Sequence, residues 1–355
     1  MGPAPQALLM GFWMGSLRPP FRHTLWSVRA SSVLVALVAL AALLGACGRG
    51  AKEGPSPSTG DGSPRSGLAR DGASGRGLQV ITTFLPITLL TRAVAGDCAE
   101  VRALVPPSTG PHDFQAKPGD LLALRQARVL VKNGLGVESF LEALITSAEN
   151  PQLVVIDSSR GVPTIGAGEG HHDSHAPDHG HGAVNPHIWL DPLRAAQQVA
   201  TIGEGLAKAD PGCAAGYRRR AAATTAQLRQ LNAELARQLR PFQGKTFVAF
   251  HDVVPYFAER YGLKAEFLVD VPEINPTPAD LQRVAEAVKA TQLRAVLSEP
   301  QAAARSFNAL ADDLGVPIGL FDPLETGSEE ASQDPATYFA TMRRNGANLV
   351  KAFGG

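Results

Sequence analysis

LQVITTFLPITLLTRAVAGDCAEVRALV, residues 78–105, decides the fold. LQVITTF (78–84) is a short apolar, β-branched run that reads as a buried strand. PITLLTRAVAG (86–96) opens on proline, carries apolar residues at helical spacing and stops on glycine. VRALV (101–105) is a second buried strand. Strand, helix, strand within 28 residues is the grammar of a parallel sheet covered by helices. It repeats outward. RVLVKNG (128–134) and LVVID (153–157) read as two more strands, with helices in GDLLALRQA (119–127) and VESFLEALITSA (137–148). After residue 245 it returns: TFVAF (246–250), AEFLV (265–269), AVLSE (295–299) and PIGLF (317–321) alternate with helical VPYFAERYG, PADLQRVAEAVKAT and ARSFNALADDLG. The pattern predicts two α/β lobes with parallel sheets. Between them, 193–209 reads as one helix ending at Asp210-Pro211, and 213–239 as a long helix acting as a rigid strut.

The chain has 355 residues, with 33 basic and 33 acidic side chains and no net formal charge. That balance offers nothing to a nucleic acid, which is excluded as a partner. Residues 1–46 read as an export signal: Arg18, Arg22 and Arg29 precede a 12-residue apolar run, VLVALVALAALL (33–44), with no acid before Cys47. A span of bilayer needs roughly 20 apolar residues, so the run is too short to cross one. Leu44-Gly45-Ala46-Cys47 resembles a bacterial lipoprotein cleavage site, which makes Cys47 the lipid-bearing first mature residue. Residues 47–77, rich in Gly, Pro and Ser, cannot bury a core and read as a tether. The expected organisation is signal (1–46), tether (47–77), first lobe (78–192), helical region (193–240) and second lobe (241–355). Cys98 and Cys213 either form a disulfide or stay as two buried thiols; spacing alone does not choose.

Ligand sites of parallel α/β sheets gather at the carboxyl ends of strands. His112 follows the second strand, His251 the first strand of the second lobe, and Asp322 the last strand, while His187 in NPHIWLDP precedes the helical region. Singly, each has a plain alternative: a histidine beside proline is a common turn residue, and Asp322 before Pro323 is a turn former or helix cap. Jointly, three imidazoles and one carboxylate make the tetrahedral donor set that Zn²⁺ favours; calcium and magnesium prefer oxygen. A separate tract, HHDSHAPDHGH (171–181), brings His171, His172, His175, His179 and His181 together as an auxiliary, weak metal-binding loop.

FLPITLLTRAVAGD, LVPPSTGPHDFQAKPGDLLAL, VKNGLGVESFLEALI, NPHIWLDP, FVAFHDVVPYFAERYGL and SEPQ…GLFDPL, in this order, resemble the substrate-binding lipoproteins of bacterial ABC transporters for zinc and manganese. The resemblance runs from about residue 78 to the end. It implies two α/β lobes joined by a long helix, with the metal between them on His112, His187, His251 and Asp322. It also implies a monomer, tethered outside the cytoplasm, that hands Zn²⁺ to a permease and its ATPase and is not an enzyme. In the manganese branch the third ligand is similar to a glutamate; His251 stands there instead and favours zinc. The run Thr109-Gly110-Pro111 departs from the family, which usually carries an acid just before the first histidine. Rival readings are a manganese or iron carrier, a zinc buffer or adhesin, and a zinc hydrolase with Glu299 as base. Asp252, Glu273 and Glu299 are candidates to orient the ligand imidazoles. An ordinary imidazole titrates near 6.5, so affinity is expected to fall below that pH.

Overall fold

Leu78–Thr82 (β1), Ala99–Ala103 (β2), Val129–Lys132 (β3) and Val154–Asp157 (β4) pair in parallel in the order β2-β1-β3-β4. Thr246–His251 (β5), Lys264–Val269 (β6), Val296–Ser298 (β7) and Ile318–Leu320 (β8) repeat that order as β6-β5-β7-β8. The protein is described from a computed structural model over residues 77–166, 184–269, 276–300 and 305–355, all within one compact unit, Arg70–Gly355. The expected export signal, Cys47, the stretch to residue 76, the five histidines of 171–181, and Glu273 lie outside the described residues. No helix among the described residues is long and apolar enough to cross a membrane.

All eight strands read from the sequence form close to where expected; the inner strands β1, β3, β5 and β7 are apolar runs that the sheets bury, while the edge strand β8 leaves Ile318 and Leu320 exposed. The first sheet is covered on both sides. Leu85–Ala95 (α1), started by Pro86, packs against β1–β3 and joins the main core through Ile87, Leu90 and Val94. Pro118–Gln126 (α2) and Leu141–Ala148 (α3) enclose a second cluster with Ile81, Leu124, Leu130 and Leu144 on the opposite face. In the other lobe Pro255–Tyr261 (α6) and Pro278–Thr291 (α7) cover β5 and β6; Arg305–Leu314 (α8) follows β7, and Glu329–Gln333 (α9) and Ala336–Ala352 (α10) close the chain. The last two helices were not anticipated from the sequence.

Between the sheets run Pro192–Ala209 (α4) and the 26-residue Ala214–Leu239 (α5). The first starts with Pro192 and is capped by Asp191, whose carboxylate accepts from Leu193 N at 2.8 Å. Along α5, Tyr217, Ala221, Thr224, Leu228, Leu231 and Leu235 are buried at three- and four-residue steps. That stripe lies on α1 and α4 on one side and on α6 and α10 on the other, so a single helix braces both lobes. Gly203 allows the close approach of α4 and α5: a Cβ there would stand 2.6 Å from that of Ala221. A buried ion network adds to the brace. Arg260 of α6 grips Asp191 with two bonds of 2.8 and 2.6 Å, and Arg194 bonds the same carboxylate at 2.8 Å.

Of the two states left open for Cys98 and Cys213, the fold adopts the disulfide: their Cα atoms are 6.1 Å apart across 115 residues of sequence. The bond pins the turn after α1 to the start of α5. Closing a loop of that length restricts the unfolded chain by about 4–5 kcal/mol on the chain-entropy view. Denaturant unfolding of the protein with Cys98→Ala and Cys213→Ala should show a stability loss of that order, about 4–5 kcal/mol. An unchanged midpoint would mean the helical brace alone sets stability.

Candidate metal centre

Four ionisable side chains meet where the carboxyl ends of the two sheets face each other. His112 comes from the loop between β2 and α2, His187 from the turn before α4, His251 from the last position of β5, and Glu325 from the segment after β8. One donor atom from each lies within 4.8 Å of all the others. The Nε2 atoms of His112 and His187 are each 3.4 Å from Glu325 Oε1, and His251 Nε2 is 3.9 Å from Glu325 Oε2. For a tetrahedral zinc with Zn–N near 2.0–2.1 Å, donors stand about 3.4 Å apart, so two of these spacings already match. The rings of His187 and His251 are 0 and 4 % exposed and Glu325 3 %, whereas His112 is 15 % exposed, so His112 forms the solvent side.

Each orientation has a local cause. Asn185 Oδ1 accepts from His187 N at 3.0 Å and sits 2.9 Å from its Nδ1, while the Asn185 amide donates to Asp252 O at 2.8 Å. His187 Nδ1 therefore carries the proton and Nε2 faces the cluster. Parallel register sets Ala249 beside Leu297, so two residues on His251 meets Glu299. The Glu299 carboxylate accepts from His251 N at 3.1 Å and pairs with Nδ1 at 2.6 Å. That again turns Nε2 inward, where it has no hydrogen-bond partner among the described residues. Of the three orienting candidates, Glu299 does this directly and Asp252 acts through Asn185.

The carboxylate assignment needs correction. Asp322 does not join the cluster. Its Oδ1 accepts from Leu324 N at 2.9 Å and its Oδ2 faces Arg344 at 3.4 Å, so it shapes a turn, the plain alternative for an Asp before Pro. Leu324 takes the left-handed conformation, φ 64°, and the chain turns so that Glu325, three residues after Asp322, meets the histidines. The available signal was the second acid in GLFDPLET: Asp-Pro is a turn former, which leaves Glu325 as the freer carboxylate.

Burial acts on the members in opposite senses. Burial lowers His187 to about 3, outweighing the nearby Glu325. His251 is also opposed by burial, but Glu299, then Glu325 and Asp252, carry it up to about 9. Burial alone would raise Glu325; the three histidines instead hold it well below the ordinary carboxylate range. Without metal, the site is thus an anionic carboxylate, a protonated His251 and a neutral His187.

Residues 80–352 match the sequence profile of the family described as zinc-uptake complex component A, periplasmic. The chain is 30 % identical over 266 residues to the high-affinity zinc uptake system protein ZnuA of Yersinia pestis, covering 70 % of this chain and 83 % of that one. It is 28 % identical over 273 residues to the zinc-binding lipoprotein AdcA of Streptococcus pneumoniae, covering 76 % of this chain but only 54 %, about half, of that protein. The crystal structure of the Zn(II)-bound ZnuA-like domain of the pneumococcal AdcA superposes with a TM-score of 0.66 at 26 % identity, over 79 % of this chain and all of that one.

The two shifted histidines set a pH profile for the metal-free protein. His251 keeps its proton to about 9, so its contribution to stability is complete below the ordinary 6.5 and is lost as pH rises from there to about 9. His187 stays neutral down to about 3, so its contribution is present above 6.5 and lost as pH falls toward about 3. Buried Glu138, raised to about 7 by desolvation, loses its contribution as pH rises from 4.5 and so offsets the His187 limb; the limb that stands clear is the loss of unfolding free energy as pH rises from 6.5 to about 9. Glu299→Gln should flatten the alkaline limb; an alkaline limb unchanged by that substitution would show that Glu299 does not hold the His251 proton.

Proposed function

The chain belongs to the periplasmic zinc-uptake complex component A family, and on that footing we propose that it captures Zn²⁺ outside the cytoplasm and delivers it to an ABC permease driven by its ATPase. The observation that carries this reading is the closed set of three imidazoles and one carboxylate, His112, His187, His251 and Glu325, at near-tetrahedral spacing. Zinc here is cargo. Four protein donors complete its coordination and leave no position for an activated water, which a hydrolase needs. The reading is therefore a carrier and not an enzyme. An imidazole at position 251, in place of a carboxylate, favours zinc over manganese.

The residues divide the work of loading. His112, the exposed member, meets the incoming ion first. Asn185 and Glu299 hold the Nδ1 sides of His187 and His251, so no tautomer change is needed at Nε2. His187 is already neutral, whereas His251 must give up its Nε2 proton. The expected pH window thus moves upward: affinity weakens as pH falls from about 9, not only below an ordinary imidazole's 6.5. Release to the permease reverses the exchange, with a proton returning to His251. Cys47 and the stretch after it, as lipid anchor and tether, would hold the carrier at a membrane, and the 171–181 histidines would raise local zinc without setting the tight affinity.

Metal content and chelator competition test this. One tightly held zinc per chain is expected, and His112→Ala, His187→Ala, His251→Ala and Glu325→Gln should each weaken it by at least the roughly 10–100-fold that outer-shell changes cost. His251→Glu should improve manganese at the expense of zinc. Calorimetry at pH 7 in buffers of different ionisation enthalpy should report about one proton released per zinc. Tight zinc that survives all four cluster substitutions would remove the site from the function; release of no proton would mean His251 is neutral before loading.

A further inference from the structure

The GLFDPLET turn is held by contacts that the metal chemistry does not use. Leu324 adopts φ 64° although it is not glycine, a conformation that persists only where the surroundings impose it. Asn345, fully buried in the middle of α10, spends both ends of its amide on the backbone of one residue of this turn. Its Oδ1 accepts from Asp322 N at 2.9 Å and its Nδ2 donates to Asp322 O at 2.8 Å. Trp189, also fully buried, donates from Nε1 to Pro323 O at 2.8 Å. Asp322 closes the turn from within by accepting from Leu324 N at 2.9 Å. Glu325 follows immediately.

The same helix holds the other side of the site. Tyr338 of α10 donates its hydroxyl to Trp189 O at 2.6 Å, and the Trp189 ring stands edge-on to the imidazole of His187, with centroids 5.1 Å apart. One helix therefore grips the His187 segment through Tyr338 and the Glu325 turn through Asn345, with Trp189 bonded to both.

We infer that α10 and Trp189 position the fourth ligand: Asn345, Trp189 and Asp322 are positioning residues that set the distance of Glu325 from the three histidines, and so the tightness of zinc. This rests on the zinc-carrier reading of the cluster. Asp322 acts through the acceptor oxygen of its side chain and not through its charge.

Zinc competition and the visible spectrum of the Co²⁺-loaded full chain test it, with the thermal midpoint of the metal-free protein read alongside. Asn345→Ala, Trp189→Phe and Asp322→Ala should each raise the zinc Kd about 10–100-fold, the range for outer partners of metal ligands. They should also shift the Co²⁺ spectrum toward that of Glu325→Gln, a change that loss of fold stability alone does not produce. Asp322→Asn keeps an oxygen able to accept from Leu324 N and should return affinity to within about twofold of wild type. In a Glu325→Gln background the three damaging substitutions should add less than about twofold, because the group they position is already gone. Should Asn345→Ala lower the metal-free midpoint too far to be read, the Asp322→Ala and Asp322→Asn pair decides on its own.

Asp322→Asn as damaging as Asp322→Ala would overturn the inference, by showing that the charge itself matters. So would wild-type affinity in the three substituted proteins while Glu325→Gln remains weak; that outcome leaves the carrier reading intact. A wild-type chain without tight zinc would overturn both.

Discussion

A carboxylate buried among three imidazoles is the constraint on which the rest of this structure depends. Glu325 is almost fully enclosed and yet held in its charged form by the histidines around it. A lone buried charge is too costly to keep. The cluster is tolerable without metal because His251 carries a compensating proton, and with metal because the ion replaces that proton. On the proposed carrier reading, capture and release are an exchange of positive charge at a fixed anion. The low pKa of His187 and the high pKa of His251 belong to the same arrangement: the site holds the positive charge it needs and avoids a second beside it.

Such a site works only if its walls do not drift. Two four-stranded parallel sheets of identical strand order present their carboxyl ends to each other, and α5 packs on helices of both lobes. The buried Asp191, four residues after His187, is gripped from the second lobe by Arg260. The disulfide fixes the start of α5 to the first lobe. These bonds leave little room for wide opening of the lobes. The member with the most freedom is His112, on a loop and partly exposed, whereas the Glu325 turn is held by hydrogen bonds from α10 and Trp189.

The tautomers illustrate how polar detail far from any strand pattern sets the chemistry. Asn185 and Glu299 occupy the Nδ1 sides of His187 and His251, so both rings turn Nε2 toward one point. Asn185 is in turn held by Asp252, which adjoins His251, so the two histidines are oriented by a connected set of bonds and not separately.

Local pattern was enough to read eight strands, the two central helices and the places of the three histidines that meet, because burial writes itself into short apolar runs and because ligand sites of parallel sheets gather just after strands. It was not enough for the carboxylate that joins them. Asp322 and Glu325 lie three residues apart after the same strand, and choosing between them depends on the left-handed turn at Leu324. That turn is held by Asn345 and Trp189, 23 and 134 residues away along the chain. The pairing of Cys98 with Cys213 was out of reach for the same reason, since their meeting depends on how α1 and α5 pack. The sequence by itself determined which segments are buried and which donor types they carry; tertiary structure alone decided which of those donors meet, because hydrogen bonds between distant segments, and not local preference, set the direction of each side chain.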